Sequence, residues 1–244
     1  MKNVNLFDVR TEKYRKNFRE FNDPKLILDM PSDRRNIRYY ELIKNFDFFM
    51  QEDFLGDFSI CDAGCGLGDM NKYLQMTGYK NYHYIGLDVV PEFLEENKKN
   101  YPSPNINFVF RNFYEDDLSD LKFDYAISSQ TFTIAYSDSF ENYELTFCAI
   151  RKLFEQCRVG ISFNFFSDFV DFKKSGAAYH NPLKMLEFAY SLSKNVILDN
   201  SSLPYECTIT ILKETSSEDR LVFDRFKRLH QKEFDAGIFV VDKK

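Results

Sequence analysis

Hydrophobic residues along the chain alternate between short, nearly continuous runs and longer stretches in which apolar positions recur every three or four residues. Short apolar runs between turn residues are typical of buried strands, and the wider spacing is typical of amphipathic helices. Strands are predicted at 58–63, 82–88, 106–112, 123–129, 159–166, 195–200 and 206–213. Helices are predicted at about 8–21, 33–50, 70–77, 91–101, 143–154, 182–192 and 215–230, with a short extended piece at 237–241.

Strands that alternate with helices predict an α/β fold, in which a doubly wound, mostly parallel sheet of seven strands carries helices on both faces. The last two predicted strands are joined only by the segment SSLPY, which is too short for the crossover between parallel neighbours. The last strand is therefore expected to run antiparallel. The pattern divides the chain into a helical N-terminal cover at 1–55, a core at 56–213 and a C-terminal extension at 214–244 packed on the same domain.

Composition and charge narrow the class of protein. A chain of 244 residues with 44% hydrophobic content can bury a sizeable core. We find no leader-like N-terminus and no apolar run near the roughly 20 residues of a membrane span, so a soluble, cytoplasmic protein is expected. Five scattered cysteines fit reduced thiols, and no metal site is expected. A net charge of −6 without a basic stripe disfavours nucleic acid as a partner.

The stretch ICDAGCGLGD, which begins at Ile60, places three glycines between a predicted strand and a predicted helix. A P-loop is excluded because the residues from Gly64 to Asp69 lack the Gly-Lys-Ser/Thr ending. The dinucleotide fingerprint requires a third glycine where this chain has Asp69, a carboxylate that would face a pyrophosphate. Acids on both sides of the loop, Asp62 and Asp69, instead favour a ligand whose nearest group is cationic or neutral.

The motif CDAGCGLGD followed by YIGLD resembles the cofactor-binding half of class I S-adenosylmethionine-dependent methyltransferases, which have a Rossmann-like fold. The resemblance implies that the glycines approach the methionine part of the cofactor, with Asp62 near its amino group. It also implies that Asp88 accepts hydrogen bonds from the ribose hydroxyls, while Val89, Asn112 and Phe113 lie beside the adenine. The full set of cofactor-binding residues that it implies is Asp62, Gly64, Cys65, Gly66, Gly68, Asp88, Val89, Asn112, Phe113 and Ser128.

The methyl acceptor is expected to enter over the end of the fourth strand, at SSQTFTIAY. This segment lacks the Pro-Pro-aromatic motif of amino-methylating DNA enzymes, so a small-molecule acceptor is expected. The later stretch from GAAYHNP to LPYE resembles bacterial methyltransferases associated with sugars and surface-polysaccharide precursors. The predicted acceptor-binding residues are Gln130, Tyr136, Tyr179 and Tyr205, and His180 is the candidate general base. A solvent-facing loop histidine without a role is the alternative for His180.

Three functions remain open at this point. The first is an O-methyltransferase that acts on a small polar acceptor, such as a sugar or nucleotide sugar, and leaves S-adenosylhomocysteine as product. The second is an N-methyltransferase of a small molecule. The third is a non-catalytic cofactor-binding protein whose C-terminal helix, with Val222, Phe226 and Leu229 on one face, binds a partner or a second copy. A homodimer also stays open, and no membrane partner is expected.

Overall fold

A computed structural model of the protein describes residues 6–29, 34–46, 57–136, 139–213, 226–227 and 230–239. Its strands are β1 (Phe58–Ala63), β2 (Tyr82–Asp88), β3 (Ile106–Phe110), β4 (Phe123–Ser128), β5 (Cys157–Ser167), β6 (Tyr179–His180), β7 (Asn195–Asp199) and β8 (Glu206–Leu212). Its helices are α1 (Leu6–Glu20), α2 (Pro24–Ile27), α3 (Arg35–Ile43), α4 (Asp69–Met76), α5 (Pro91–Asn100), α6 (Ser139–Gln156), α7 (Pro182–Leu192) and α8 (Gln231–Asp235).

Seven of the strands form one sheet in the order β3-β2-β1-β4-β5-β8-β7. The first five strands on this path are parallel to one another. Strand β8 lies between β5 and β7 and is antiparallel to both, which confirms the orientation predicted from the short connection before it. The eighth strand, β6, pairs in parallel with the end of β5 for two residues, and the sequence pattern did not predict it.

Two buried clusters occupy the two faces of the sheet, as a doubly wound fold requires. On one face, α6 and α7 pack Leu153 and Phe188 against β5 and β8. On the opposite face, Leu42 of α3 and Met70 of α4 belong to a second cluster with buried residues of β1, β2 and β4, and α3 contacts β5 and β8. A third, smaller cluster joins Ile27 of α2 to Phe93 of α5, and it holds the N-terminal helices on the core.

The ends of the helices follow signals in the sequence. Asn181 precedes α7, and its side chain accepts hydrogen bonds from the backbone of Leu183 and Lys184, while Pro182 occupies the first helical position. Helix α5 likewise begins at Pro91.

Some predictions fall outside the described residues or differ from the structure. The predicted helix at 33–50 is observed at Arg35–Ile43, and residues 47–50 lie outside the described part. Most of the predicted C-terminal helix, including Val222 and Leu229, also lies outside it. Residues 237–239 form a turn and bends instead of an extended piece, because the backbone of 237–239 folds back to bond to Phe234 and Glu233 near the end of α8.

Candidate cofactor site

A cavity opens at the edge of the sheet where β1, β2, β3 and β4 end, and residues of the N-terminal helices also line it. Parallel strands present their carboxyl ends on this edge, which is where open α/β sheets place their ligands. The described residues that line the cavity are Arg10, Thr11, Tyr14, Leu28, Arg35, Tyr39, Asp62, Gly64, Cys65, Gly66, Asp69, Asp88, Val89, Val90, Phe93, Arg111, Asn112, Phe113, Tyr114, Ser129, Gln130, Thr131, Ile134 and Tyr136.

The glycine turn between β1 and α4 forms one wall of the cavity. Its residues Gly64 and Gly68 have φ values of 83° and 72°, which L side chains rarely adopt. A Cβ at Gly64 would lie 2.5 Å from Thr131 Oγ1, and one at Gly68 would lie 2.9 Å from the Tyr101 ring. Both positions therefore require glycine, and the turn presents bare backbone to the cavity. Gly68 itself is not among the lining residues.

Asp88 ends β2 and holds the glycine turn in place. One carboxylate oxygen accepts a hydrogen bond from Gly66 N at 2.8 Å, and the other accepts from Val89 N at 2.8 Å and Val90 N at 3.0 Å. Burial raises the pKa of Asp88 above its usual value, and the three backbone donors oppose that shift. The carboxylate is thus fixed at the cavity wall, where it can accept further hydrogen bonds.

Asp62 is the most deeply buried acid of the site, with an exposed fraction of 2%. Burial raises its pKa to about 7, although the Tyr84 hydroxyl, which donates to Asp62 at 2.6 Å, lowers it in part. The nearby carboxylates of Asp88 and Asp69 raise the pKa further. Three acids converge on this end of the cavity, so it favours a cationic group.

Arg35 on α3 is a lining residue that the sequence analysis did not identify. Arg35 is 7% exposed and donates through Nη1 to Asp69, yet its buried Nε and Nη2 have no hydrogen-bond partner among the described residues. Buried donors of a charged group are normally satisfied. The arrangement therefore fits an anionic oxygen in the cavity beside Asp69.

The predicted adenine side holds Val89, Asn112 and Phe113 together in the lining. The Asn112 side-chain oxygen accepts from Tyr114 N at 3.2 Å, and Asn112 N donates to Asp116 at 2.8 Å. The Phe113 ring stacks on Tyr114 with centroids 4.6 Å apart. This wall is apolar and rigid, with an amide at its edge. Cys65 also lines the cavity, and burial raises the pKa of its thiol well above the ordinary value.

Among the remaining predicted residues, Gln130 and Tyr136 line the cavity. Ser128 does not, because its side chain is fully buried and its hydroxyl donates to the carbonyl of Ala63 at 2.9 Å. Tyr179 and Tyr205 are likewise outside the lining: Tyr179 packs on Phe166, and the half-exposed ring of Tyr205 contacts Phe172.

The prediction that His180 lies in a loop over the crevice is wrong. His180 forms β6 with Tyr179, its exposed fraction is 1%, and it lies outside the cavity lining. Its Nε2 lies 3.0 Å from the carbonyl oxygen of Phe132, and its ring packs edge-on against Tyr143 and Phe165. Burial lowers its pKa, so the imidazole is a neutral core side chain.

The N-terminal helix α1 contributes Arg10, Thr11 and Tyr14 to the lining of the cavity, and we call this part of the wall the roof. Arg15 binds the Glu92 carboxylate at 3.0 Å, and the rings of Tyr14 and Phe18 contact Phe93 at 6.2 and 5.6 Å. The roof is therefore attached to α5 by both charge and aromatic packing.

The described part of the chain has no group of three or more His, Cys, Asp and Glu side chains placed to hold a metal ion. No helix in the described ranges combines the length and the apolar character needed to cross a bilayer.

The strand order, with its antiparallel β8, is that of the Rossmann-like methyltransferase fold, which is also the fold of solved S-adenosylmethionine-dependent methyltransferases. Residues 60–146 match the family model described as "Methyltransferase domain".

Three methyltransferases are similar to this chain in sequence or in fold. A candidate methyltransferase of Mycobacterium tuberculosis (strain ATCC 25618 / H37Rv), Rv1506c, is 28% identical over 165 residues, which cover 64% of this chain and 93% of that protein. The solved magnesium protoporphyrin IX methyltransferase of Synechocystis PCC 6803 with bound S-adenosylhomocysteine superposes with a TM-score of 0.56 at 11% identity, covering 84% of this chain and 95% of that one. Human N-acetylserotonin methyltransferase in complex with S-adenosylmethionine superposes with a TM-score of 0.53 at 15% identity, covering 84% of this chain and 66% of that one. At these identities the solved structures establish the fold.

Proposed function

We propose that the protein binds S-adenosylmethionine in this cavity and transfers its methyl group to a small polar acceptor. The observation that carries the proposal is the juxtaposition of a bare glycine turn, three carboxylates and a buried guanidinium with free donors in one cavity. The matched methyltransferase domain supports the same activity.

The chemistry of the lining fits the cofactor group by group. Asp62, at the acidic end, suits a positively charged amino group, and the unpartnered donors of Arg35 suit the carboxylate next to it. Asp88 offers carboxylate oxygens to two adjacent hydroxyls of a ribose. Phe113 and Val89 provide apolar surface for a purine ring. One end of the cavity thus recognises an amino acid and the other a nucleoside.

When bound, S-adenosylmethionine supplies a methyl group on a sulfonium, which a nucleophile takes in an in-line displacement. The residues of the chain contribute chiefly by holding cofactor and acceptor in line, which supplies much of the acceleration in such a reaction. Asp62 and Asp88 fix the two ends of the donor. The turn after β4, which carries Ser129 and Gln130, faces the acceptor.

Within the class of small polar acceptors, we propose a hydroxyl of a sugar or nucleotide sugar. The hydroxyl-bearing rings of Tyr14, Tyr114 and Tyr136 support it, since they combine flat apolar faces with hydrogen-bonding tips. Nitrogen is the second candidate, because the described lining residues include no histidine or lysine that could serve as a general base for a hydroxyl. The predicted homodimer and the predicted cytoplasmic location remain predictions from the sequence.

Isothermal titration with S-adenosylhomocysteine tests the cofactor site directly. Wild type is expected to bind with one-to-one stoichiometry, and Asp88→Ala is expected to abolish binding. Asp57→Ala is the matched control, because that acid is 78% exposed in its side chain at the opposite edge of the sheet. Absence of binding by the folded wild type would refute the proposal.

To identify the methyl acceptor, the protein is incubated with methyl-labelled S-adenosylmethionine and with fractions of a small-molecule extract, and labelled products are isolated. The expected product carries one intact labelled methyl group, and its fragmentation in mass spectrometry separates oxygen from nitrogen as the modified atom. A labelled macromolecule in place of a small molecule would contradict the proposed acceptor class.

A further inference from the structure

Gln130 is held in an unusual conformation at the end of β4. It is one of three described non-glycine residues with positive φ, at 63°. Its backbone N–H donates to Asn164 Oδ1 at 2.6 Å, and its carbonyl accepts from the Thr133 hydroxyl at 2.5 Å. Strained residues of this kind concentrate at functional sites, where the surroundings hold them in place.

The side-chain amide of Gln130 has only one orientation that satisfies its partners. Its Nε2 donates to Glu206 Oε2 at 3.1 Å. A carboxylate only accepts hydrogen bonds, so the amide must turn its nitrogen toward Glu206 and its Oε1 away from it. Gln130 lines the cavity, and the described residues provide no donor to this oxygen. The amide oxygen of Gln130 is thus a hydrogen-bond acceptor that has no donor among the described residues.

A buried ion pair fixes Glu206 in turn. Arg38 of α3 donates through Nε to Glu206 Oε2 at 2.8 Å and through Nη2 to Oε1, and the two residues are 5% and 7% exposed. Buried ion pairs contribute little net stability compared with apolar packing, whereas they can specify one arrangement of their neighbours. Here the arrangement they specify is that of the Gln130 amide.

The turn that carries Gln130 also lies directly on the glycine turn. Thr131, the next residue, donates through its hydroxyl to the carbonyl of Ala63 at 3.2 Å. The same hydroxyl occupies the space beside Gly64 that a Cβ would need. Gln130 is therefore next to the glycine turn, which follows Asp62, the residue that the proposed function assigns to the amino group of the cofactor.

We propose that Gln130 Oε1 accepts a hydrogen bond from the N–H or O–H of the incoming acceptor and aligns its nucleophilic atom with the methyl group. Arg38 and Glu206 are positioning residues that set the orientation of this amide. The inference rests on the proposed function and specifies the acceptor as an alcohol or an amine, in contrast to a carboxylate, which has no hydrogen to donate. The nucleophile bonds to the methyl carbon as the carbon–sulfur bond breaks, the electron pair stays on sulfur, and the acceptor proton leaves to water.

Sinefungin tests this arrangement without knowledge of the acceptor. In this cofactor analogue a CH–NH₂ unit replaces the S–CH₃ unit, so its amine places N–H donors where the methyl group and the incoming nucleophile meet. Wild type and Gln130→Met are each titrated with sinefungin and with S-adenosylhomocysteine. For each protein, the affinity ratio is the affinity for sinefungin divided by the affinity for S-adenosylhomocysteine. We expect Gln130→Met to weaken sinefungin roughly tenfold or more, as loss of a hydrogen bond to a charged group does, and to change S-adenosylhomocysteine less than about twofold.

The control is Gln231→Met, the same exchange on the exposed face of α8, which should leave the ratio unchanged. The double variant Arg38→Met, Glu206→Met removes the ion pair without leaving a lone buried charge, and it should lower the ratio by a smaller factor because the amide is then free to turn.

The outcomes separate the two proposals. If S-adenosylhomocysteine binds wild type but neither Gln130→Met nor the double variant changes the affinity ratio from its wild-type value, the role of Gln130 is refuted and the cofactor site stands. If the folded wild type binds neither ligand, the proposed function fails, and this inference fails with it.

Discussion

The carboxyl group of Asp62 shows how burial determines the chemistry of a single side chain in this cavity. An exposed aspartate is ionised throughout the neutral range, whereas burial beside Asp88 and Asp69 raises the pKa of Asp62 to about 7. The side chain is therefore partly protonated near neutral pH, and a cationic ligand would favour its ionised form. We expect ligand binding at this site to depend on pH for this reason.

We expect the affinity for S-adenosylhomocysteine to fall by roughly tenfold between pH 8 and pH 6, because an acid with a pKa of about 7 loses most of its charge over that range. The sign follows from the proposed contact: the ligand amino group binds ionised Asp62, so binding releases a proton and weakens as the pH falls. Titration across this range in buffers of different ionisation enthalpy measures both the affinity and the proton. Asp62→Asn should bind more weakly with a flat profile, and a steep profile in that variant would contradict the assignment.

Arg35 supports a second prediction at the residue scale. Its free Nε and Nη2 are expected to bind the cofactor carboxylate, so Arg35→Met should weaken S-adenosylhomocysteine by about 10- to 100-fold, the effect of a charge-assisted hydrogen bond. 5′-Methylthioadenosine lacks the amino-acid part, and its affinity should not change. The neighbouring Arg34 is exposed, so Arg34→Met is the control. Equal losses for both ligands would show that Arg35 acts only on the structure.

At the scale of elements, α1 is the part of the cavity wall that is attached to the core through α5. It meets the core through Phe93, whose ring receives Tyr14 and Phe18, and through the ion pairs of Glu92 with Arg15 and Arg19. Apolar burial is worth more than partly exposed ion pairs, which typically contribute about 0.2–1 kcal/mol each. We therefore expect the aromatic contact to contribute more than the ion pairs to holding α1 in place.

Phe93→Ala should release α1 from the core, since removal of a buried phenylalanine ring costs about 3–5 kcal/mol. The measurement is the rate of tryptic cleavage within α1, followed by mass spectrometry with and without S-adenosylhomocysteine. We expect Phe93→Ala to accelerate cleavage strongly and the ligand to protect wild type. Glu92→Gln should have a much smaller effect, and comparable acceleration by the two variants would show that charge holds the roof.

The elements themselves could be read from the sequence because each depends on local spacing. The bounds of β1 and β2 agree with the prediction to the residue, and α5 and α7 begin at their prolines. Strand β6 could not be found this way, because two residues carry no periodicity and pair only with the distant end of β5. His180 was misplaced for the same reason: its burial depends on Tyr143 and Phe165, which are far from it in the sequence.

The candidate site likewise contains some residues that the sequence could indicate and others that it could not. Asp62, Asp88 and the glycines belong to one continuous strand-turn-helix-strand unit, so a local motif could indicate them. Arg38 and Glu206 are 168 residues apart and meet only after α3 packs against β8. No spacing rule connects them, and a lone arginine or glutamate in a sequence is most often a solvated side chain.

At the scale of the whole molecule, the two large buried clusters do not include α1 or α2. A chain that begins at residue 30 should therefore fold cooperatively, with a lower Tm and with faster dissociation of S-adenosylhomocysteine. Thermal unfolding and stopped-flow release measure the two effects. Loss of cooperative unfolding in the shortened chain would show that the N-terminal helices are part of the core instead of a cover.

The position of β8 between β5 and β7 has a consequence for the order in which the protein is completed during synthesis. The five parallel strands lie within the first 167 residues, whereas the synthesis of β8 is complete only when Leu212 has been added. Until then the nascent chain carries an unpaired, apolar edge along β5, which is open to wrong partners. Glu206 begins β8, so a polypeptide interrupted before this strand would contain the glycine turn without the carboxylate that binds the Gln130 amide.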